Sequence, residues 1–527
     1  MCTFAEMKRR LMIMSVLSGV LFAYHAMAQT DAGRLIENVE YKAEAQVTFG
    51  SGDNNPLWLN ANRYGLSSLK NNNAYLRGGV FRSIENDSIR KWGIGYGVDA
   101  ALATGFTSTF VLQQAYFQGR YKKGLLTIGA KEIPMEMKNQ ELSTGSQTLG
   151  INARPVPQVR VELPEYWNIP GTREWLAFKG HIAYGRLTDD NWQKDFVGED
   201  GKYSQATRYH SKAGYLKIVP DKYRFQAEIG LEMACLFGGS SYNVQDAQHE
   251  FNPVIHHDSG LKAYWDAFLP GGSDSHEGAY ENSAGDQVGS WLVRLKYKGK
   301  GWDVALYADH FFEDHSQMLF VDYDGYGKGE DWDKHVDNNY ILYDFKDCLW
   351  GIEANLPNNP IVNTIVAEYI YTKYQSGPVF HDRTPNISDH VAGMDDYYNH
   401  YLLSGWQHWG QVFGNPLYRS PLYNEDGVIQ VQDNRFWAWH FGVNGNPMKN
   451  LHYRLLYTTQ KGWGRYKKPY LDPKHNNSFL AEVTYSIPKL FKQNGWAVRG
   501  AFALDQGALL GDNVGFQVTF IKSGILK

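Results

Sequence analysis

The chain has 527 residues, 52 of them basic and 56 acidic, for a formal net charge of -4 at neutral pH. That near balance argues against nucleic acid or any other strongly charged partner. Three cysteines are too few for a disulfide scaffold, and no CxxC or clustered Cys/His spacing points to zinc.

Lys8, Arg9 and Arg10 precede an apolar run from Leu11 to Ala23, followed by the small-x-small pattern Ala26-Met27-Ala28. This is the layout of a secretory signal, and the run is shorter than the ~18–20 residues of a spanning helix. Residues 1–28 are therefore expected to be removed, leaving a mature chain from Gln29. No cysteine adjoins the cleavage site, which disfavours a lipid anchor. Cys2 departs with the signal. Cys235 and Cys348 remain, and the sequence leaves open whether they pair.

Aromatic residues make up 15% of the chain, yet mean hydropathy is -0.47. Hydrophobicity hidden by alternation reconciles the two, and that is the pattern of a transmembrane β-barrel. In chain order, Leu176, Phe178, Ile182 and Tyr184 alternate with Lys179, His181 and Gly185. Tyr223, Phe225, Ala227, Ile229 and Leu231 alternate with Arg224, Gln226, Glu228, Gly230 and Glu232. Trp291, Val293, Leu295 and Tyr297 oppose Arg294, Lys296 and Lys298, and Trp437, Trp439, Phe441 and Val443 oppose Phe436, Ala438, His440 and Gly442. Leu451 to Thr458 and Phe479 to Ser486 repeat the pattern. In the last strand Val514, Phe516, Val518 and Phe520 face away from Gly515, Gln517 and Thr519. A final amphipathic strand ending in phenylalanine resembles the assembly signal read by the outer-membrane barrel-insertion machinery, although here seven residues follow Phe520.

The count is about sixteen to eighteen antiparallel strands. The expected fold is all-β: one outer-membrane β-barrel domain over residues 29–527, in the outer membrane of a Gram-negative bacterium. Pro220-Asp221-Lys222 and Lys298-Gly299-Lys300-Gly301 are expected as short periplasmic turns. Gly238 to Asp286, Glu313 to Asp337, Gln375 to Gln430 and Lys461 to Asn477 are expected as extracellular loops, longer than the ~12–15 residues usual for structureless connections.

Asp322, Asp324, Glu330, Asp331 and Asp333 are spaced as calcium ligands can be, but without the full EF-hand arrangement, so no metal site is assigned. Trp463, Arg465 and Lys467 mix rings with cations in a stretch that can grip an acidic polysaccharide or meet lipopolysaccharide phosphates. Asp395 to Leu417 fits neither helical nor strand periodicity but is dense in rings and in Gly and Asn-Pro turn signals. Tyr397, Tyr398, Trp406 and Trp409 can stack on sugars while Asn399, His400 and Asn415 bond hydroxyls. The same residues can instead pin the loop inside the barrel. Catalysis finds no foothold: there is no GxSxG, HExxH or phosphate loop, and no cofactor is implied.

Gly129, Glu132, Pro134, Gly145 and the run Asn152-Ala153-Arg154-Pro155 with Pro157 form one block. Tyr397-Tyr398-Asn399-His400, Gly405-Trp406, Gly410 and Gly414-Asn415-Pro416 form a second, and Asn55-Pro56-Leu57-Trp58-Leu59 with Asn62 and Gly65 an early third. Together they resemble the Wzi-type capsule assembly proteins in their Bacteroidetes-like form, over nearly the whole mature chain. The resemblance implies a barrel of about eighteen strands whose inward-folded loops occlude the pore, and a non-enzymatic lectin-like role holding capsular polysaccharide at the cell surface. It makes Asn55 to Leu59 the opening strand and Pro134 to Glu141 a short helical insertion. Arg154 is expected as a lumen arginine paired with a glutamate, or as a glycan contact. A porin or sugar channel is the alternative function.

Overall fold

A computed structural model describes residues 35–526 apart from 220–221, 246–250, 270–274, 277–278, 281–284, 314–324, 327–328, 332–333, 337–345, 376–378, 382–389 and 393–394. The export signal and most of the acidic loop, with Asp322, Asp324 and Asp333, lie outside the described residues.

Eighteen antiparallel strands form one closed sheet. The first nine are β1 (Val39–Ser51), β2 (Asn73–Arg82), β3 (Trp92–Thr104), β4 (Phe110–Tyr121), β5 (Gly124–Ala130), β6 (Gln158–Asn168), β7 (Leu176–Arg186), β8 (Arg208–Ile218) and β9 (Phe225–Phe237). The rest are β10 (Asp286–Lys298), β11 (Asp303–Glu313), β12 (Cys348–Asn355), β13 (Thr364–Tyr371), β14 (Phe436–Met448), β15 (Leu451–Gly464), β16 (Pro469–Ile487), β17 (Trp496–Gly507) and β18 (Asn513–Leu526). Each pairs with the next, and β1 closes on β18 from Val39↔Leu526 to Ser51↔Val514. The residues after Phe520 are therefore wall, since Ile521 pairs with Glu44. Closure removes the exposed edge that an open sheet would present.

Alternation sets the two faces. Along β18, Phe516, Val518 and Phe520 are exposed on the outside, while Gly515, Gln517 and Thr519 are buried inside. Cys235 and Cys348 are buried thiols with no disulfide between them. At one mouth the connections are short, such as 122–123, 299–302 and 449–450. At the other they include 52–72, 131–157, 187–207, 238–285 and 372–435.

Three local expectations are corrected. Asn55 to Leu59 is not a strand: Leu57–Asn60 is a helical turn (α1) behind β1, with Leu57, Trp58 and Leu59 all buried. Three consecutive buried residues cannot alternate, and Pro56 pre-sets the turn. The inward Asp505 carboxylate caps it, accepting the Leu57 N–H at 3.0 Å. Pro134 to Glu141 contains no helix. The Gln140 side chain bonds both the Met135 N–H and C=O, and Asn139 accepts the Glu141 and Leu142 N–H groups, so side chains replace the helical ladder. Lys461 to Asn477 is mostly not loop, because β15 and β16 continue through it to a turn at 465–468, with Lys461 opposite His475. Lys461, His475 and Asn477 interrupt its apolar outer face there, which hid the strand period.

Candidate functional site

The lumen is filled by the chain itself. Segments 131–157 and 395–435 fold inward from the long-loop mouth and pack with α1 against the inner wall, where Leu142, Trp406, Tyr418, Phe436 and Leu480 are all fully buried. Backbone groups taken from water need partners. Inward carboxylates on alternate strands supply them: Glu368 of β13 accepts the Thr144 N–H at 2.7 Å, Asp309 of β11 the Gln147 N–H at 3.0 Å, and Glu232 of β9 the Ser146 hydroxyl at 3.1 Å. The Lys138 ammonium, 2.6 Å from Asp309, balances that buried charge.

The second block then locks onto the first. Trp406 donates its indole N–H to the Thr148 carbonyl at 3.1 Å, and Asn415 donates to the Thr144 hydroxyl at 2.9 Å. Tyr398 bonds the Gln147 carbonyl, and Asn152 donates to the Val412 carbonyl at 3.0 Å. Tyr397 donates to Asp347 at 2.9 Å. Tyr397, Tyr398, Trp406 and Asn415 are each at most 1% exposed, so they anchor the plug and present no surface to a ligand. Gly414 is required here, since a Cβ would overlap the Tyr398 hydroxyl and the Gln147 carbonyl. Asn399 accepts the Val431 N–H at 2.8 Å and donates to its carbonyl at 2.9 Å. His400 Nδ1 accepts the Leu402 and Leu403 N–H groups. Burial pushes His400 down to about 3. Arg465 forks onto Asp396, with Nε 2.9 Å from Oδ1, and ties the 465–468 turn to the plug.

His408 joins the plug to the neighbouring loop. Its Nδ1 lies 2.9 Å from the Arg154 carbonyl, and its Nε2 lies 2.7 Å from the Thr188 carbonyl and 3.1 Å from the Thr188 backbone nitrogen. Burial pushes its pKa down to about 4, against the two carbonyls that face its nitrogens.

Trp409, next in sequence, does the opposite of Trp406. It is only half-buried and faces a cleft of about 640 Å³ at the long-loop mouth. Trp192, Phe196 and Phe106 supply further rings to this cleft, Asp190 and Asp195 supply carboxylates, and Ser67 and Thr107 hydroxyls. The Arg154 guanidinium lies 4.2 Å from the centre of the Trp409 ring and donates to Thr107 at 2.7 Å. No carboxylate among the described residues stands within ion-pair reach of Arg154, so the expected glutamate partner is replaced by an indole face and a hydroxyl. Burial lowers its pKa to about 10, and the π face compensates part of that desolvation. Gly410 makes the aromatic wall: at φ +76° it lies so close to Trp192 that a Cβ would stand 2.5 Å from the indole.

Trp463 and Lys467 belong elsewhere. Trp463 is on the outer face of β15 at the rim, beneath the Lys373 ammonium, and Lys467 is exposed in the 465–468 turn. Trp192, Phe196, Asp190 and Asp195 were missed in the sequence, where Asp189-Asp190-Asn191-Trp192 was the available signal. A Trp flanked by carboxylates after a strand is a weak pattern without its partners.

No protein-family model and no curated protein matches the chain. Among solved structures it is similar to Wzi of Escherichia coli, an outer-membrane protein involved in group 1 capsule assembly and described as a carbohydrate-binding β-barrel. The TM-score is 0.50 at 13% identity, covering 93% of this chain and 86% of that one. Pseudomonas aeruginosa OccK5 gives 0.43 at 8% identity over 93% and 99% of the two chains. OprD of the same organism gives 0.41 at 9% over 93% and 96%. The chain thus has the fold of an outer-membrane β-barrel.

Proposed function

We propose that this protein binds polysaccharide at the outer face of the outer membrane and helps retain capsule or exopolysaccharide there. The carrying observation is the cleft around Trp409. Sugars are recognised by flat rings stacked on their C–H faces and by carboxylates and hydroxyls that bond their hydroxyls. Trp192, Trp409, Asp190, Asp195 and Thr107 bring these groups together at a mouth open to solvent. Asn152, Asn415 and the Trp406 N–H are bonded within the plug, whereas the cleft groups face an open mouth. The carbohydrate binding described for Wzi, a protein of the same fold, agrees with this reading. A porin or sugar channel needs a continuous water path, whereas Tyr397, Tyr398, Trp406 and Tyr418 pack the lumen at no more than 1% exposure.

The test is binding of surface polysaccharide from the producing cells to the purified protein, followed by tryptophan fluorescence, with Trp192→Ala and Trp409→Ala beside it. Saturable quenching lost in both variants is expected. Equal binding by all three proteins, or a steady open-channel current from the unmodified barrel in a planar bilayer, overturns the reading.

A further inference from the structure

The outer wall of β13 to β15 carries a graded pattern toward the long-loop mouth. Tyr369 pairs with Trp439, and one pleat further Tyr371 pairs with Trp437, which pairs in turn with Lys461. Trp439, Phe441 and Tyr457 are exposed outward below, as an interfacial aromatic belt requires. The next outward row, about 7 Å higher, consists of Lys373, Arg435 and Trp463, where the Trp463 N–H bonds the Arg435 carbonyl at 2.8 Å. Chemistry switches from apolar rings to cations within one pleat.

The cations are held, not loose. Lys373 Nζ lies 4.1 Å and Lys461 Nζ 5.4 Å from the Trp463 ring centre, so both ammonium groups flank a single indole. The Arg435 guanidinium sits 3.6 Å over the Tyr466 ring, whose hydroxyl is fixed by the Tyr374 carbonyl at 2.8 Å. Among the described residues, none of the three cations has a carboxylate within ion-pair distance. Burial depresses the Lys373 pKa, and the nearby charges of Arg435, Lys346 and Lys461 add to the shift. Clustering like charges on rigid platforms is unfavourable unless an anion completes it.

We infer that Lys373, Arg435 and Lys461, mounted on Trp463 and Tyr466, form a binding site for the phosphorylated saccharide headgroup of an outer-leaflet glycolipid such as lipid A. The position selects this occupant over a soluble acidic glycan: the site faces sideways at the top of the lipid belt, away from the Trp409 cleft, where a lipid with its chains beside Trp439 and Phe441 puts its phosphates. Two ammonium groups and one guanidinium provide charge-assisted donors for phosphate oxygens. The inference rests on the barrel and its belt, and is independent of the polysaccharide proposal.

The experiment uses the full-length purified barrel in neutral detergent and native mass spectrometry, with bisphosphorylated lipid A and the same lipid A after dephosphorylation as probes. Expected is a preference of at least about tenfold for the phosphorylated form, lost in K373A/R435A/K461A and kept in K373R/K461R. Resistance of each variant to unfolding in cold SDS confirms an intact barrel. Equal retention of both lipids, or an unchanged preference in the triple alanine variant, overturns the inference. So does tighter binding of a soluble uronic-acid polysaccharide that lipid A fails to displace.

Discussion

Trp406 and Trp409 stand three residues apart in one loop, and the structure gives them opposite work. Trp406 is wholly enclosed, stacked near Tyr209 and Phe413, with its N–H spent on Thr148. Trp409 keeps part of its ring open to a cleft and has Arg154 against its face. Between them, His408 ties the loop to the 131–157 segment, and Trp409 at φ +55° and Gly410 at φ +76° turn the chain outward. The plug and the cleft are therefore one device: enclosed residues hold the loop so that its next turn can offer a ring at a set position.

Breaking the enclosed half is expected to cost most. Tyr398→Ala removes a buried ring whose centre lies 4.1 Å from that of Tyr418 and leaves the Asn415 N–H and Gln147 carbonyl without their partner. A loss of about 3–5 kcal/mol is expected, read as a lower thermal midpoint and as current in a planar bilayer where the unmodified protein is expected to stay silent. Unchanged midpoint and silence would mean that the plug does not depend on this ring.

Gly410→Ala tests the joint between the halves. A Cβ there meets Trp192 and Leu422 at 2.5 and 2.7 Å in a left-handed conformation. Roughly 1–3 kcal/mol of strain is expected, with the cleft disturbed and the barrel intact. Glycan binding should weaken while resistance to cold SDS stays; equal affinity would separate Trp192 from the binding surface.

Trp409→Ala isolates the open half. Loss of a stacking face should weaken glycan binding about tenfold, on the scale of ~1–2 kcal/mol for a ring contact, and shift the thermal midpoint little. A midpoint falling as far as in Tyr398→Ala would make Trp409 another anchor.

The smallest effect concerns pH. Folding lowers His408 to about 4 and His400 to about 3, so their contribution is full above the ordinary value near 6.5 and fades as pH falls below it. Asp347, raised to about 6, and Asp433, raised to about 7, run the other way, because each favours the folded state more as pH falls toward the ordinary carboxylate value. Burial causes all four shifts. Between pH 6 and 4 the two pairs offset each other in the unmodified protein. His400→Asn/His408→Asn, though less stable overall, should gain stability on acidification, up to ~1.4 kcal/mol per pH unit for each titrating carboxylate. Hydrogen exchange of 395–435 across that range checks the slope, and a flat profile in the variant would refute it.

Much of the barrel was legible because strand alternation is a local property. Tyr223 to Leu231 and Val514 to Phe520 show their lipid faces by period alone. The period failed where the outer face leaves lipid, as at Lys461 to Asn477, and where the chain goes inside, as at Leu57 to Leu59, because every side of a plug residue is buried. The loop from Asp395 to Leu417 was recognisable as aromatic and turn-rich. Which of its rings would be enclosed was not, since that depends on partners such as Thr148 and Gln147, more than two hundred residues away in sequence.

By itself, the sequence determined a barrel of near-neutral charge with long loops, since two-residue alternation and turn chemistry act over a few neighbouring residues. Only the tertiary structure decided that Arg154 faces an indole, that Trp192 joins Trp409, and that Lys373 and Lys461 meet at Trp463. Most of these neighbours come from different strands and loops, and strand pairing together with the inward carboxylates brings them within contact distance.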